Sequence, residues 1–303
     1  MNPPASRWRS WLKFGLGCAL LALAWHWLLR HADLATLAQR LGQLPAWAWL
    51  LAGLALLGGH LARALRLRQE WRGQGDPGLA ACLRLVLVHN AAVILVPLRA
   101  GEAGYVWLVH RQWGVGWRAA ATSLVRWRLQ DTIVLGAWAL LLLWPGSWAG
   151  RLLMALALAL VLQAMLPSLW AWLARRGGLP EAQPESDALD AWRGAPASVA
   201  LWTLKILANG GLLAALVGLS PETALRAALG GELGGVQPVQ PPAGLGAYEA
   251  GVWLAASVDG SIGPVLVAGA LAVHAFSLAV ALGAAALSTM LIPLRPRAIQ
   301  SNS

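Results

Sequence analysis

The sequence predicts an all-α polytopic membrane protein, with six spanning helices and two re-entrant broken hairpins. Three observations lead there. Only 12% of the 303 residues are charged, and the runs 16–29, 46–57, 133–144 and 152–166 carry almost no charge. Apolar stretches of that length mark the membrane class more firmly than a high apolar fraction does. Those runs are built of Leu, Ala and Trp, whereas a membrane β-barrel would show short alternating segments. Finally, two apolar segments are interrupted in the same way: Val96-Pro97-Leu98-Arg99-Ala100-Gly101-Glu102 and Pro241-Pro242-Ala243-Gly244-Leu245-Gly246-Ala247-Tyr248-Glu249. Each passes through Pro and Gly and then sets a glutamate near the start of a new apolar run. Helix-breaking sequence at membrane depth is tolerated only where protein or a watery cavity covers the freed backbone.

Taken in order, the full spans fall near residues 14–30, 46–66, 119–144, 150–173, 197–219 and 262–290. The first follows Arg7, Arg9 and Lys13 but shows no small-residue cleavage site, so it reads as an uncleaved span, not a signal peptide. The interrupted segments lie near 79–109 and 223–256, and either cross the membrane or enter and leave on one side. Basic residues decide between these. With both segments re-entrant and the N-terminus inside, about 14 Lys and Arg fall cytoplasmic against about 4 outside. Full crossing lowers the bias to about 10 against about 8. The re-entrant topology places both termini in the cytoplasm. It also makes residues 1–145 and 146–303 two halves of opposite orientation, an inverted 3+3 repeat within one membrane domain. The polar stretch 174–196, with Gly177, Gly178, Pro180, Pro184 and Pro196, reads as a solvated cytoplasmic linker loop. Trp47, Trp49, Trp144, Trp148 and Trp192, with Trp8 and Trp11, sit near predicted span ends, as interfacial anchors do.

Ionisable groups inside apolar spans are costly, so each requires a reason. Arg128 and Asp131 share a helix face and pair locally, as a structural ion pair or as part of a site. Lys205 and Asn209, four apart, are placed to do the same more weakly. Arg63 and Arg126 read as snorkelling side chains. Glu102 and Glu249 each open a helical run, where the macrodipole favours a capping carboxylate. Capping explains the residue type. It does not explain why both breaks of an acid-poor membrane region carry one, and two carboxylates facing a midplane cavity would bind a polar headgroup, a proton, or both.

Other classes find little support. A net charge of +10 from Arg flanking apolar spans sets topology and touches anionic headgroups, so no nucleic acid partner is expected. Cys18 and Cys82 form no disulfide framework or metal motif. The six His residues contain no HExxH, so neither a metal nor another cofactor is expected. Gly230-Gly231-Glu232-Leu233-Gly234-Gly235 lacks the Lys-Ser/Thr end of a P-loop, and Ser257, Ser261 and Ser277 sit in no nucleophile elbow. The chain is not expected to be an enzyme.

The string Pro242-Ala243-Gly244-Leu245-Gly246-Ala247-Tyr248-Glu249-Ala250 resembles the Pro-Gly-Gly-Leu-Gly-x-x-Glu-Ala signature of the lysylphosphatidylglycerol synthase transmembrane-region family, also called the flippase-like domain family. Pro97-Leu98-Arg99-Ala100-Gly101-Glu102 is similar to its earlier Gly-acid motif, and Arg128-Leu129-Gln130-Asp131 to its Arg-x-x-Asp. The chain departs from the family pattern at Ala243, where Gly is usual, and at Tyr105 and His274, where Arg is expected. Too few residues follow Pro293 for the family's aminoacyl-transferase domain. The resemblance implies a bacterial inner-membrane flippase or transporter of lipids or lipid-linked headgroups. Glu102 and Glu249 would be its central carboxylates, with Arg99, Arg128, Asp131, Tyr248 and His274 around the headgroup. Pro97, Gly101, Pro242, Gly244 and Gly246 would break the hairpins. Membrane lipids are the expected partners, with a homodimer or a lipid-biosynthesis enzyme as protein partner. The alternative function is a non-transporting scaffold subunit for such an enzyme.

Overall fold

The computed structural model describes residues 32–72, 77–177, 184–237, 241–257 and 263–292, with isolated positions between 15 and 30. Among the described residues there are ten α-helices and no strand. They are α1 (Leu34–Gln43), α2 (Ala46–Glu70), α3 (Leu79–Leu95), α4 (Ala103–Trp113), α5 (Trp117–Leu143), α6 (Trp148–Gly177), α7 (Pro184–Val217), α8 (Pro221–Gly235), α9 (Ala247–Ser257) and α10 (Pro264–Leu291). Two 3-10 turns interrupt the series: a first break at Pro97–Glu102 between α3 and α4, and a second at Pro242–Gly244 ahead of α9.

Among the described residues, four helices are long and apolar enough to cross a bilayer: Ala46–Glu70, Trp148–Trp172, Trp192–Val217 and Pro264–Leu291. They correspond to four of the six expected spans. The span expected at 119–144 lies in α5, whose 27 residues reach about 40 Å at 1.5 Å per residue. Arg118, Arg126, Arg128 and Asp131 lower its hydropathy. Of the span expected at 14–30, the described positions Gly15, Ala19, Ala22, Leu23, His26 and Arg30 are helical and exposed.

The loop expected at 174–196 needs correction. The helix α6 runs on to Gly177, and α7 begins at Pro184 and continues through Pro196. Proline at the first position of a helix gives up only an amide that has no intrahelical partner. Thus Pro184 starts a helix where it was read as loop punctuation.

Helix ends follow local chemistry. Asp33 caps α1, its carboxylate accepting from the Thr36 amide at 3.0 Å and from the Thr36 hydroxyl at 2.8 Å. The same bonds hold the Asp33 carboxyl below its usual range. Arg40 donates to the Leu216 carbonyl at 3.0 Å, satisfying an orphan acceptor at the end of α7. Exposed Trp47, Trp144, Trp148 and Trp192 stand near helix ends, as expected for interfacial rings, while Trp49 packs edge-on against Phe276 at 4.9 Å.

The chain forms two compact units. One contains residues up to 54, 90–102 and 206–282; the other contains 55–89, 103–205 and 283 onwards. In the first unit α8 is enclosed, with its entire run from Ala227 to Glu232 buried. It pairs with α9 through small residues at four-residue spacing: Gly230 and Gly234 on one side, Ala247, Gly251 and Ala255 on the other. A Cβ on Gly230 would strike the Gly251 carbonyl, and one on Gly251 the Gly230 carbonyl, so the two backbones meet directly. Close backbone approach of this kind is how small residues drive helix pairing in hydrocarbon. In the second unit Leu67, Trp71, Cys82, Leu85, Tyr105, Val109 and Trp127 form a core. By contrast, Leu153, Leu156, Leu160, Val161 and Met165 of α6 are exposed, an apolar face suited to a hydrocarbon solvent.

Candidate functional site

The two breaks, far apart in sequence, lie against each other within the first unit. The first folds back on α3 so tightly that a Cβ on Gly101 would collide with the Ala92 carbonyl. In the second, Ala243 adopts φ 58° and Gly244 φ 72°, a left-handed pair that reverses the chain before α9. Gly246, also left-handed at φ 84°, then precedes α9.

Glu249 follows three residues after Gly246 and is fully buried. One carboxylate oxygen accepts from the Gly246 amide at 2.6 Å. This is the carboxylate half of a capping box, so the capping reading holds for that oxygen. The other oxygen lies 2.8 Å from His274 Nδ1. The Tyr248 ring stacks on the same imidazole, with centroids 4.3 Å apart. A buried carboxylate is tolerated only when hydrogen-bonded or paired. Here one proton between Glu249 and His274, on either partner, completes the bond.

Beside this pair a second buried acid extends the polar line. Glu232 accepts from the Asn209 amide at 3.0 Å, and the Asn209 carbonyl oxygen accepts from the Ser277 hydroxyl at 3.0 Å. Ser277 stands three residues beyond His274 on α10, one helical turn away. The Tyr248 hydroxyl is buried near Asn209 and falls short of a hydrogen bond with it. Four helices therefore converge on the site: α7 with Asn209, α8 with Glu232, α9 with Tyr248 and Glu249, and α10 with His274 and Ser277.

The remaining expected residues are distributed differently. Glu102 is half-buried at the end of the first break, and Gly101, Gly244 and Gly246 occupy their breaks. Pro97 and Arg99 lie in the first break, with side chains outside the described set. Pro242 opens the second break. Arg128 and Asp131 belong to the second unit, where Arg63 joins them. Arg63 and Arg128 both reach Asp131 Oδ2, at 2.6 and 3.2 Å. That corrects the snorkelling reading of Arg63, whose guanidinium is tied down across two helices. The guanidinium of Arg126 lies 5.8 Å from the Trp170 ring centre. Lys205 and Asn209 do not pair. The amide turns to Glu232, while the ammonium sits 5.4 Å from the Trp202 ring centre. Tyr105 is core, bonded through its hydroxyl to Ser123 at 2.8 Å and packed against Trp127.

Glu232, Asn209 and Ser277 were not singled out as site residues by sequence reasoning. The available signal was an acid within the Gly-rich run 230–235, which faces away from the small-residue contact with α9. Only knowing which neighbour the glycines touch shows where Glu232 points.

No curated protein and no solved structure matches this chain. The family model described as the lysylphosphatidylglycerol synthase TM region matches residues 11–285. With apolar helices, two matching breaks and this match over most of its length, the chain belongs to the lysylphosphatidylglycerol synthase TM region family, a membrane-domain family linked to lipids.

Proposed function

We propose that this protein is a lipid flippase of the bacterial inner membrane. The observation that carries the reading is the meeting of the two breaks in one unit, with fully buried Glu249 held by His274 just beyond the second. Interrupted helices paired in corresponding halves are where transporters bind their cargo. In this reading the breaks belong to re-entrant hairpins within an inverted repeat of six spans, and both termini are cytoplasmic. The polar headgroup enters between the hairpins while its acyl chains stay in lipid.

The protein's own groups supply two functions. Glu249 and Glu232 present carboxylates in an otherwise apolar setting. His274 and Tyr248 position the Glu249 carboxylate, the first through its hydrogen bond and the second by stacking on the imidazole. Loss of the headgroup or proton contact at Glu249 then blocks the step, and no covalent chemistry is required.

The test is leaflet assignment of tagged lipids in proteoliposomes, comparing the protein with Glu249→Gln. Glutamine preserves the bond from Gly246 and removes the charge. Movement above empty vesicles that is lost in the variant supports the reading. Full movement by the variant overturns the role of Glu249. No movement of any major lipid class by well-folded protein favours the scaffold function.

A further inference from the structure

The second unit contains a cavity of about 400 Å³, walled by α2, α5, α6 and the start of α7. Among the described residues, four arginines line it, Arg66, Arg72, Arg126 and Arg193, together with the carboxylate of Glu70. Gln69 and Gln130 add amides, while Leu166, Pro167 and Trp170 form an apolar wall. These described residues carry a formal charge of +3.

The guanidiniums are arranged rather than scattered. Arg66 is buried, lies 5.1 Å from the Trp127 ring centre and donates to the Ser198 hydroxyl at 3.3 Å. Arg126 lies over Trp170. The Trp127 indole donates to Glu70 at 2.9 Å, fixing that acid in place. Arg72 and Arg193 are exposed. Gly194 completes the lining: a Cβ there would come within 2.8 Å of the Arg66 guanidinium carbon and 3.0 Å of the Gln130 oxygen. Glycine at 194 is what leaves Arg66 and Gln130 their place at the cavity.

We infer that this cavity binds a terminal phosphate group, a phosphomonoester-type dianion. Guanidinium forks match phosphate oxygens in bidentate geometry, and several forks around one site favour a dianion with three free oxygens over a phosphodiester with two. The volume lies within the range of small-molecule sites. The apolar wall of Leu166, Pro167 and Trp170 beside the charges suits a headgroup whose remainder is apolar; a free phosphate would use the arginines alone. The inference is independent of transport and of the Glu249 cluster.

The experiment measures binding to the full chain in neutral detergent, with three probes: dioctanoyl phosphatidic acid, inorganic phosphate and dioctanoyl phosphatidylcholine. Phosphatidic acid should bind at least about tenfold more tightly than phosphatidylcholine, and the difference should shrink as salt rises. Arg72→Gln/Arg193→Gln, both exposed positions, should erase most of that preference. Gly194→Ala should weaken it by displacing Arg66. Arg111→Gln/Arg118→Gln, exposed positions outside the cavity with the same charge change, should leave it unchanged. Protection by inorganic phosphate as strong as by phosphatidic acid identifies a free-anion site; phosphatidic acid alone identifies a lipid headgroup. Equal affinity for phosphatidylcholine overturns the inference. So does equal weakening by the Arg111/Arg118 control, or undiminished binding by folded Arg72→Gln/Arg193→Gln.

Discussion

Both units bury carboxylates in apolar surroundings, and they satisfy them in opposite ways. In the first unit Glu249 and Glu232 are held by neutral or titratable donors: a backbone amide, an imidazole and a side-chain amide. In the second, Asp131 is held by two guanidiniums. Guanidinium keeps its charge at any accessible pH, whereas imidazole changes its charge within the physiological range. The Asp131 cluster is therefore a fixed clamp between α2 and α5, whereas the Glu249 cluster holds its carboxylate through groups that carry no permanent charge.

The largest effect expected from breaking this contrast is at Asp131. Asp131→Ala takes the carboxylate from half-buried Arg63 and should destabilise the fold by about 3 kcal/mol, read as a lower midpoint of thermal unfolding in detergent. The double variant Arg63→Met/Asp131→Leu should recover much of that loss, because it removes both charges together. If Asp131→Ala unfolds like the parent, the clamp does not exist.

Glu249→Gln should abolish lipid movement while costing only about 1 kcal/mol of stability, since the Gly246 bond survives. Unfolding and transport measured on one preparation separate the two. A large stability loss with residual transport would make Glu249 a clamp like Asp131 and collapse the comparison.

A smaller and opposite effect is expected at the second break. Ala243 holds φ 58° in the left-handed region. That conformation costs a non-glycine residue about 1–2 kcal/mol, so Ala243→Gly should raise stability, less the entropy that glycine gains when unfolded. A fall in the unfolding midpoint would show that the methyl group makes contacts worth more than the strain.

The smallest effect concerns Asp33, a carboxylate satisfied by neutral donors like Glu249 but only half-buried. Its folded pKa lies below the unfolded value of 3.8. The contribution is therefore present above that value and is lost as the pH falls through the lower, folded pKa. Asp33→Ala should lower stability slightly at neutral pH and make no difference in strong acid. A difference that persists in acid would mean that packing, not the charged cap, is what was removed.

Much of this was readable in the chain. Long uncharged runs of Leu, Ala and Trp dictate apolar helices wherever they occur, because backbone groups in hydrocarbon must bond within their own segment. The breaks at 97–102 and 242–244 were legible from Pro and Gly for the same reason. Glu249, Tyr248 and His274 were identified as site residues, and they touch. Arg63 was misread because its partner, Asp131, is 68 residues away. Asn209 was misread because Lys205, four residues before it, is a nearer candidate in sequence than Glu232.

The sequence alone thus determined the helical class, the position of both breaks and the presence of an acid after each, since these depend on local backbone sterics and on the cost of burying charge. Tertiary structure decided which charges meet. The glycine stripe of α8 seats that helix against α9 and turns Glu232 to Asn209. The fold also brings Arg63 to Asp131 and gathers around one cavity four arginines, three from helices α2, α5 and α7 and Arg72 from the turn after α2. Partner choice depends on which helix faces pack together, and electrostatic attraction across a low-dielectric interior depends on distance in space, which the order of residues does not specify.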